Sequence, residues 1–234
     1  MTGTAGPLST TSVVFDLDGT LVDSRLDFTR LRDEVRDLLA ARGLAWPGAS
    51  GREPALAELI TWARQAGGEG PGSAYAAALA RVVEAERAAE GARAMPGAAA
   101  ALSLLRRDGA AVGVLTNNAR APSLAQLDRL GLGDKVDVVL ARDDVPALKP
   151  DPRGLALCLM RLGGRPRAWY VGDSWIDAAA AQALGVPFVA LGMEPAALAG
   201  RGLRPAAAHA ATLAEAVRAV RAAGEGREKR WRDG

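Results

Sequence analysis

Short unbroken apolar runs alternate along this chain with stretches in which apolar residues recur at three- and four-residue steps. The two textures predict different elements. The run at 12–16 reads as a buried strand, followed by a turn at Gly19 and Thr20. From Ser24 to about Gly43 the spacing becomes helical through Phe28, Leu31, Val35, Leu38 and Leu39, with Ser24 as the expected N-cap. Leu44 to Glu53 (LAWPGASGRE) is a loop by its Gly and Pro content. Helices then fit Pro54 to Ala66 and Ala74 to Ala92, separated by GGEGPGS. After Gly97 the pattern alternates: helix 98–108, strand 111–115, helix 122–130, strand 136–140, helix 152–162, strand 168–171, helix 175–184 and strand 186–191. Asp151 is the expected cap of the helix at 152, with Pro152 in its first turn. Thr212 and Glu215 make a capping box for a last helix to about Ala222. Residues 1–11 are expected to be a disordered lead-in and 224–234 a flexible tail.

Strands alternating with helices of this length predict an α/β fold, a Rossmann-like doubly wound parallel sheet with helices on both faces. The three helices between Ser24 and Met95 break the alternation. At about 70 residues this segment far exceeds an ordinary crossover, so 24–95 is expected to form an inserted small α-helical cap. The α/β core would then consist of 12–23 and 96–223.

Composition narrows the function. Of 234 residues, 49% are apolar, enough for a sizeable core, and the net charge is only +2. Near-balance argues against nucleic-acid or membrane binding through bulk electrostatics. Cys158 is the only cysteine, so no intramolecular disulfide forms and nothing suggests an oxidising compartment. No stretch is apolar enough to span a bilayer, and the first residues lack the character of a signal peptide. The expectation is a soluble cytoplasmic protein, as monomer or homodimer.

In open parallel sheets, ligands bind outside the carboxyl ends of the strands. Four polar collections fall there: Asp16 and Asp18; Thr116, Asn117 and Asn118; Lys149; and Asp173 with Asp177. Lysine occurs elsewhere only at Lys135 and Lys229, which makes Lys149 easier to interpret. Acids that converge at one edge repel one another. A hard divalent cation such as Mg2+ explains the convergence, and it also takes a phosphate oxygen as ligand.

These four collections, in this order, resemble the motifs of the haloacid dehalogenase-like hydrolase superfamily. They are DxDGT as Asp16-Leu17-Asp18-Gly19-Thr20, a strand ending in Thr116-Asn117, Lys149 before Pro150, and Gly172-Asp173-Ser174 with Asp177 following. The resemblance covers about 12–222, and within the superfamily it is to the phosphoglycolate phosphatase-like branch with a small helical cap. It implies that Asp16 is a nucleophile forming an aspartyl-phosphate and that Asp18 is the general acid and base. Thr116 and Lys149 would hold the transferring phosphoryl group, and main-chain N–H groups near Leu17 and Asn117 would cradle its oxygens. Asp16, Asp173 and the main-chain carbonyl of Asp18 would bind Mg2+, with Asp177 orienting Lys149 or a metal-bound water.

Other chemistries share such a scaffold. The acid at Asp18 departs from true dehalogenases. The absence of lysine between Ser24 and Met95 departs from phosphonate-cleaving members, whose cap lysine forms a Schiff base. A sugar phosphomutase or a pyrophosphatase stays open, as does a non-catalytic phosphometabolite-binding or regulatory module. Substrate choice would fall to the cap, with Arg25, Trp46 and Arg52 as candidate substrate-binding residues beside Asn117.

Overall fold

The structure is a computed structural model that describes residues 6–48, 53–89 and 91–232, with side chains up to residue 223. Arg52 lies outside the described residues.

Six strands form one parallel sheet: β1 (Thr11–Phe15), β4 (Ala111–Leu115), β5 (Val138–Leu140), β6 (Arg167–Gly172), β7 (Phe188–Leu191) and β8 (Ala208–Ala210). Their order is β5-β4-β1-β6-β7-β8, so β1 is central. Val13 pairs with Val112 on one side and Trp169 on the other. The period-two alternation of a strand sorts its side chains onto two faces. Val13 and Phe15 join a cluster with α4 (Ala98–Arg107), α5 (Arg120–Arg129) and α9 (Leu213–Arg232). Val14 joins the opposite cluster with α6 (Arg153–Arg161) and α7 (Trp175–Ala183). The sheet is therefore covered on both faces, as a fully parallel sheet requires, and the doubly wound α/β expectation holds. Cys158 is fully buried in the second cluster, where burial pushes its thiol pKa up to about 12.

The chain leaves the core after β1 through β2 (Val22–Asp23) and returns through β3 (Arg93–Ala94), which pair antiparallel as a short ribbon. Between them lie α1 (Phe28–Ala41), α2 (Leu56–Gly67) and α3 (Ala74–Ala88). Their inward residues, among them Leu31, Val35, Leu39, Leu59, Ile60, Ala78 and Val82, form a third apolar cluster. Among the described residues outside 24–95, Leu148 packs against it.

Several expected boundaries shift. The α1 cap is Asp27, whose carboxylate accepts from Arg30 N at 2.9 Å; the Ser24 hydroxyl instead accepts from Leu26 N at 3.4 Å in the turn before the helix. The cap position of α6 falls on Pro152 rather than Asp151; Asp151, one residue earlier, accepts from Arg153 N at 2.9 Å. Residues 6–10 belong to the fold, contrary to the expected disordered lead-in. Leu8 is buried in the first cluster, and its N–H donates to Asp108 O at 2.8 Å. A single apolar residue in a polar segment is enough to anchor it. At the other end α9 continues to Arg232, past the expected end near Ala222 and into the expected flexible tail. Among the described residues, no helix is long and apolar enough to cross a membrane.

Candidate active site

Strand β1 ends at Phe15, and the turn after it is tight. Asp16 N extends the ladder to Val171 O at 2.9 Å, and Leu21 N and Val22 N then both return to Leu17 O at 2.9 Å. Gly19 sits at φ +77° in this turn, and a Cβ there would lie 2.0 Å from Asp173 Oδ2. Glycine is thus needed twice, for the left-handed conformation and for the close approach of β6's acid. Gly172 is constrained similarly, since a Cβ there would lie 2.6 Å from Asp177 Oδ2.

Lys149 lies at the centre. Its three ammonium donors go to Asp16 Oδ1 at 2.6 Å, Asp177 Oδ1 at 2.7 Å and Leu115 O at 3.1 Å. The lysine is 2% exposed and Asp177 fully buried. Asp16 Oδ1 also accepts from Leu17 N at 2.7 Å, so this N–H is committed to the carboxylate and is not free to cradle a phosphate oxygen. Asp177 Oδ1 accepts a further bond from the Tyr170 hydroxyl at 2.9 Å.

Negative charge is in excess here. Asp16, Asp18, Asp173 and Asp177 face one ammonium. Burial drives the Asp16 carboxyl well above the usual carboxylate range, and Asp177 adds to this while Lys149 opposes it. Burial, with Asp177 again adding, pushes Asp173 up to about 6. Burial also raises Asp18, against hydrogen bonds from Ser24 and Asn118. For Lys149 burial works against the charge, but Asp16 and Asp177 outweigh it and hold the ammonium above its ordinary pKa.

This arrangement fits a hard cation. Carboxylate oxygens of Asp16, Asp173 and Asp177 lie within 4.8 Å of one another, and Asp177 Oδ2 is buried with no hydrogen-bond partner. Oxygen ligands of one charge sign, converging in a buried place, are what a divalent cation selects. The helix-capping duty at this point falls to Ser174, whose hydroxyl accepts from Ile176 N at 3.1 Å, and Asp173 is left to the cluster. The Thr20 hydroxyl donates to Asp173 Oδ1 at 3.2 Å. The Asp18 carboxylate stands outside the trio and accepts instead from the Asn118 amide.

The loop after β4 supplies the remaining polar groups. Thr116 is buried, and its hydroxyl oxygen accepts from Asn118 N at 3.1 Å. The side-chain amide of Asn117 is spent on the main chain of Lys149, accepting from its N–H at 2.9 Å and donating to its carbonyl at 3.1 Å. Its side chain thus fixes the lysine's backbone.

A cavity of about 520 Å³ opens over these groups. Asp16, Asp18, Thr116 and Asp173 lie on its floor, and Leu31, Ile60 and Val82 of the three-helix unit on its wall. Of the substrate-binding residues expected from sequence, Arg25 pairs with Asp23 at 2.9 Å and Trp46 meets Trp62 edge-on at 5.7 Å; neither lines the cavity. Three other arginines do: Arg32, Arg142 and Arg201. Arg32 is paired with Asp33 at 3.0 Å, Arg142 with Glu86 at 3.0 Å, and Arg201 stacks 4.4 Å over the Trp175 ring. Among the described residues Arg201 has no acid partner. Sequence reasoning also missed Tyr170 and Glu86, and it placed Asn118 at the strand end without its bond to Asp18. Tyr170 is hidden in an apolar strand run, and Glu86 is one of several acids on an Ala-rich helix, so pattern alone does not single it out.

Comparison with known proteins agrees with this geometry. The sequence model of the haloacid dehalogenase-like hydrolases matches residues 10–185. A phosphoglycolate phosphatase of Rhodobacter capsulatus is 35% identical over 184 residues, covering 76% of this chain and 82% of the relative. One from Rhodospirillum rubrum is 37% identical over 192 residues, covering 77% and 78%. In three dimensions the fold is shared with a HAD-superfamily hydrolase from Geobacter sulfurreducens, at a TM-score of 0.55 and 23% identity over 93% of this chain and 98% of that one. With the motif residues gathered at the rim of a doubly wound sheet and a family match spanning most of the chain, this protein belongs to the haloacid dehalogenase-like hydrolases.

Proposed function

We propose that this hydrolase is a Mg2+-dependent phosphatase that cleaves a small phosphomonoester of the phosphoglycolate type through an aspartyl-phosphate on Asp16. The observation that carries the reading is the buried arrangement of Asp16, Asp173 and Asp177 around Lys149. The relatives named phosphoglycolate phosphatase support the substrate class.

The chain's own residues account for both halves of the reaction. A carboxylate oxygen of Asp16 attacks phosphorus as the bond to the leaving oxygen breaks. Asp18, whose pKa burial raises, donates its proton to that oxygen, and the alcohol departs. Asp18, now a carboxylate, takes a proton from water. The resulting hydroxide attacks the phosphorus, the bond to Asp16 breaks, and inorganic phosphate leaves. Asn118 orients Asp18 throughout. Lys149 fixes Asp16 and neutralises charge on the transferring group. Because the Thr116 oxygen already accepts from Asn118 N, its own proton is free for a phosphoryl oxygen. The main-chain N–H of Asn117 is a second donor to that group. Asp16, Asp173 and the Asp18 main-chain carbonyl would hold the cation, with Asp177 completing its surroundings. Bound there, Mg2+ supplies charge neutralisation and orientation of the phosphoryl oxygens.

Residues 24–95 act in this reading as a cap over the core of 12–23 and 96–223. Its apolar wall excludes water from the phosphorus. Arg32 and Arg201 replace Arg25 and Trp46 as the side chains at the substrate's far end. The compartment that fits this enzyme is the cytoplasm.

The test is phosphate release by the purified enzyme across a panel of phosphorylated metabolites. The expected result is a higher kcat/KM for phosphoglycolate than for p-nitrophenyl phosphate, lost with chelator and restored by Mg2+. Release that ignores the chelator, or none from any ester, contradicts the reading.

A further inference from the structure

The loop Asn117–Ala119 is held along its length by one ion pair from outside the motifs. Glu86, near the end of α3 in the inserted unit, meets Arg142, the first residue after β5 and Ala141. The contact is two-pronged, from Arg142 Nη1 to Glu86 Oε1 at 3.0 Å and from Nη2 to Oε2 at 3.2 Å. The side chains are 3% and 8% exposed. Each partner also grips the loop. Arg142 Nη1 donates to Asn117 O at 3.1 Å and Arg142 N to Asn118 O at 2.8 Å; Ala119 N donates to Glu86 Oε2 at 3.1 Å. Three consecutive loop residues are thus tied to the pair.

What hangs from this loop gives the pair its meaning. Asn118 holds Asp18, Asn117 clamps the main chain of Lys149, and Thr116 is locked to Asn118 N. The pair is therefore one residue removed from both the general acid and the central lysine. A buried ion pair is a poor device for stability, since apolar residues of similar size often serve as well. Its better-attested use is to fix one arrangement among several.

We propose that Glu86 and Arg142 are positioning residues for catalysis, through which the inserted helix α3 sets the loop that orients Asp18 and Lys149. The proposal rests on the phosphatase reading, because turnover is its readout.

The experiment compares the wild type with Glu86→Leu, Arg142→Met, the double variant and Glu86→Gln. Each is assayed with Mg2+ and phosphoglycolate at a temperature where circular dichroism shows it folded. Either single apolar variant strands a buried charge and should lower both Tm and kcat. The double variant removes both charges, so its Tm should recover. Its kcat should nevertheless stay on the order of ten- to a hundred-fold below wild type with KM little changed, as a misplaced reacting group costs. Glu86→Gln keeps an acceptor for Ala119 N–H and should retain more turnover than Glu86→Leu. A folded double variant with wild-type kcat overturns the proposal, because the pair then serves stability alone. So does a Glu86→Leu variant as fast as Glu86→Gln, which is the deciding comparison if the double variant does not fold. A wild type that releases no phosphate overturns the phosphatase reading instead.

Discussion

Asp16 reaches its place because a fully buried strand ends at Phe15, and the next residue is the first whose side chain stands at the sheet's rim. On the proposed mechanism, replacing it with asparagine keeps the shape and removes the nucleophile. Asp16→Asn should therefore lose roughly a thousand-fold or more in kcat while circular dichroism shows an unchanged fold. Near-normal turnover would contradict its role. Gly19 is a stricter case. In Gly19→Ala the new methyl would lie 2.0 Å from Asp173 Oδ2, at a φ of +77° that alanine disfavours. Asp173 must move, so calorimetry should show weaker Mg2+ binding, and equal affinity would refute the crowding argument. The acid pKa shifts carry a third expectation. Without cation, Asp173 holds its proton to about pH 6, whereas the unfolded chain releases it in the ordinary carboxylate range. The folded state then binds more protons than the unfolded state. Stability from this group is fully present at low pH and is lost as pH rises towards 6. A cation competes with those protons. The Tm gain from Mg2+ over chelator should be small near about pH 5 and larger near about pH 7.5. An equal gain at both would contradict it. At this scale the motif residues were legible because strand ends in an open sheet are where polar groups have a use. Tyr170 was not, since it reads as strand core, and the bond from Asn118 to Asp18 was not, since a position at a strand end does not name a partner.

The elements were legible where burial imposes a period. The five residues 111–115 read directly as β4, and α1–α3 as amphipathic helices. Short elements escaped. β8 is three residues with a histidine in the middle, and the β2–β3 ribbon is two residues on each side. Neither is long enough to show alternation; pairing to a neighbour makes them strands. Helix starts shifted for a related reason: Ser24 and Asp27 are both good caps, and the ribbon just before Ser24 decides between them. The three-helix unit has its own apolar cluster, which predicts partial independence. Leu59 is fully buried in it, so Leu59→Ala should cost about 2–5 kcal/mol locally. Hydrogen exchange should then quicken across 28–88 and leave β1, β4 and β6 protected. Uniform loss of protection would show that unit and core unfold as one.

Across the whole molecule, the sheet order carries the chemistry. The chain goes from β1 to β4 and β5 on one side, then crosses to β6 on the other, so the strand ends bearing Asp16, Thr116 and Asp173 open onto one crevice. That convergence was readable from motif order. The far wall was not, because Arg142, Glu86 and Arg201 come from distant segments and meet only on folding. On the proposed phosphatase reading, Arg201, stacked on Trp175 without an acid partner among the described residues, would attract a second anionic group on the substrate. Arg201→Met should raise KM for phosphoglycolate about ten-fold and leave p-nitrophenyl phosphate nearly unchanged. An equal effect on both would remove Arg201 from substrate choice.

The most direct test of the central claim is to quench the enzyme during turnover, reduce it with borohydride and sequence its peptides by mass spectrometry. Reduction converts a phosphorylated aspartate into homoserine, which marks the attacking residue. The account predicts homoserine at position 16 with Mg2+ and substrate, and aspartate there when chelator is present. Steady phosphate release with position 16 unmarked, or marking that persists with chelator, would contradict it.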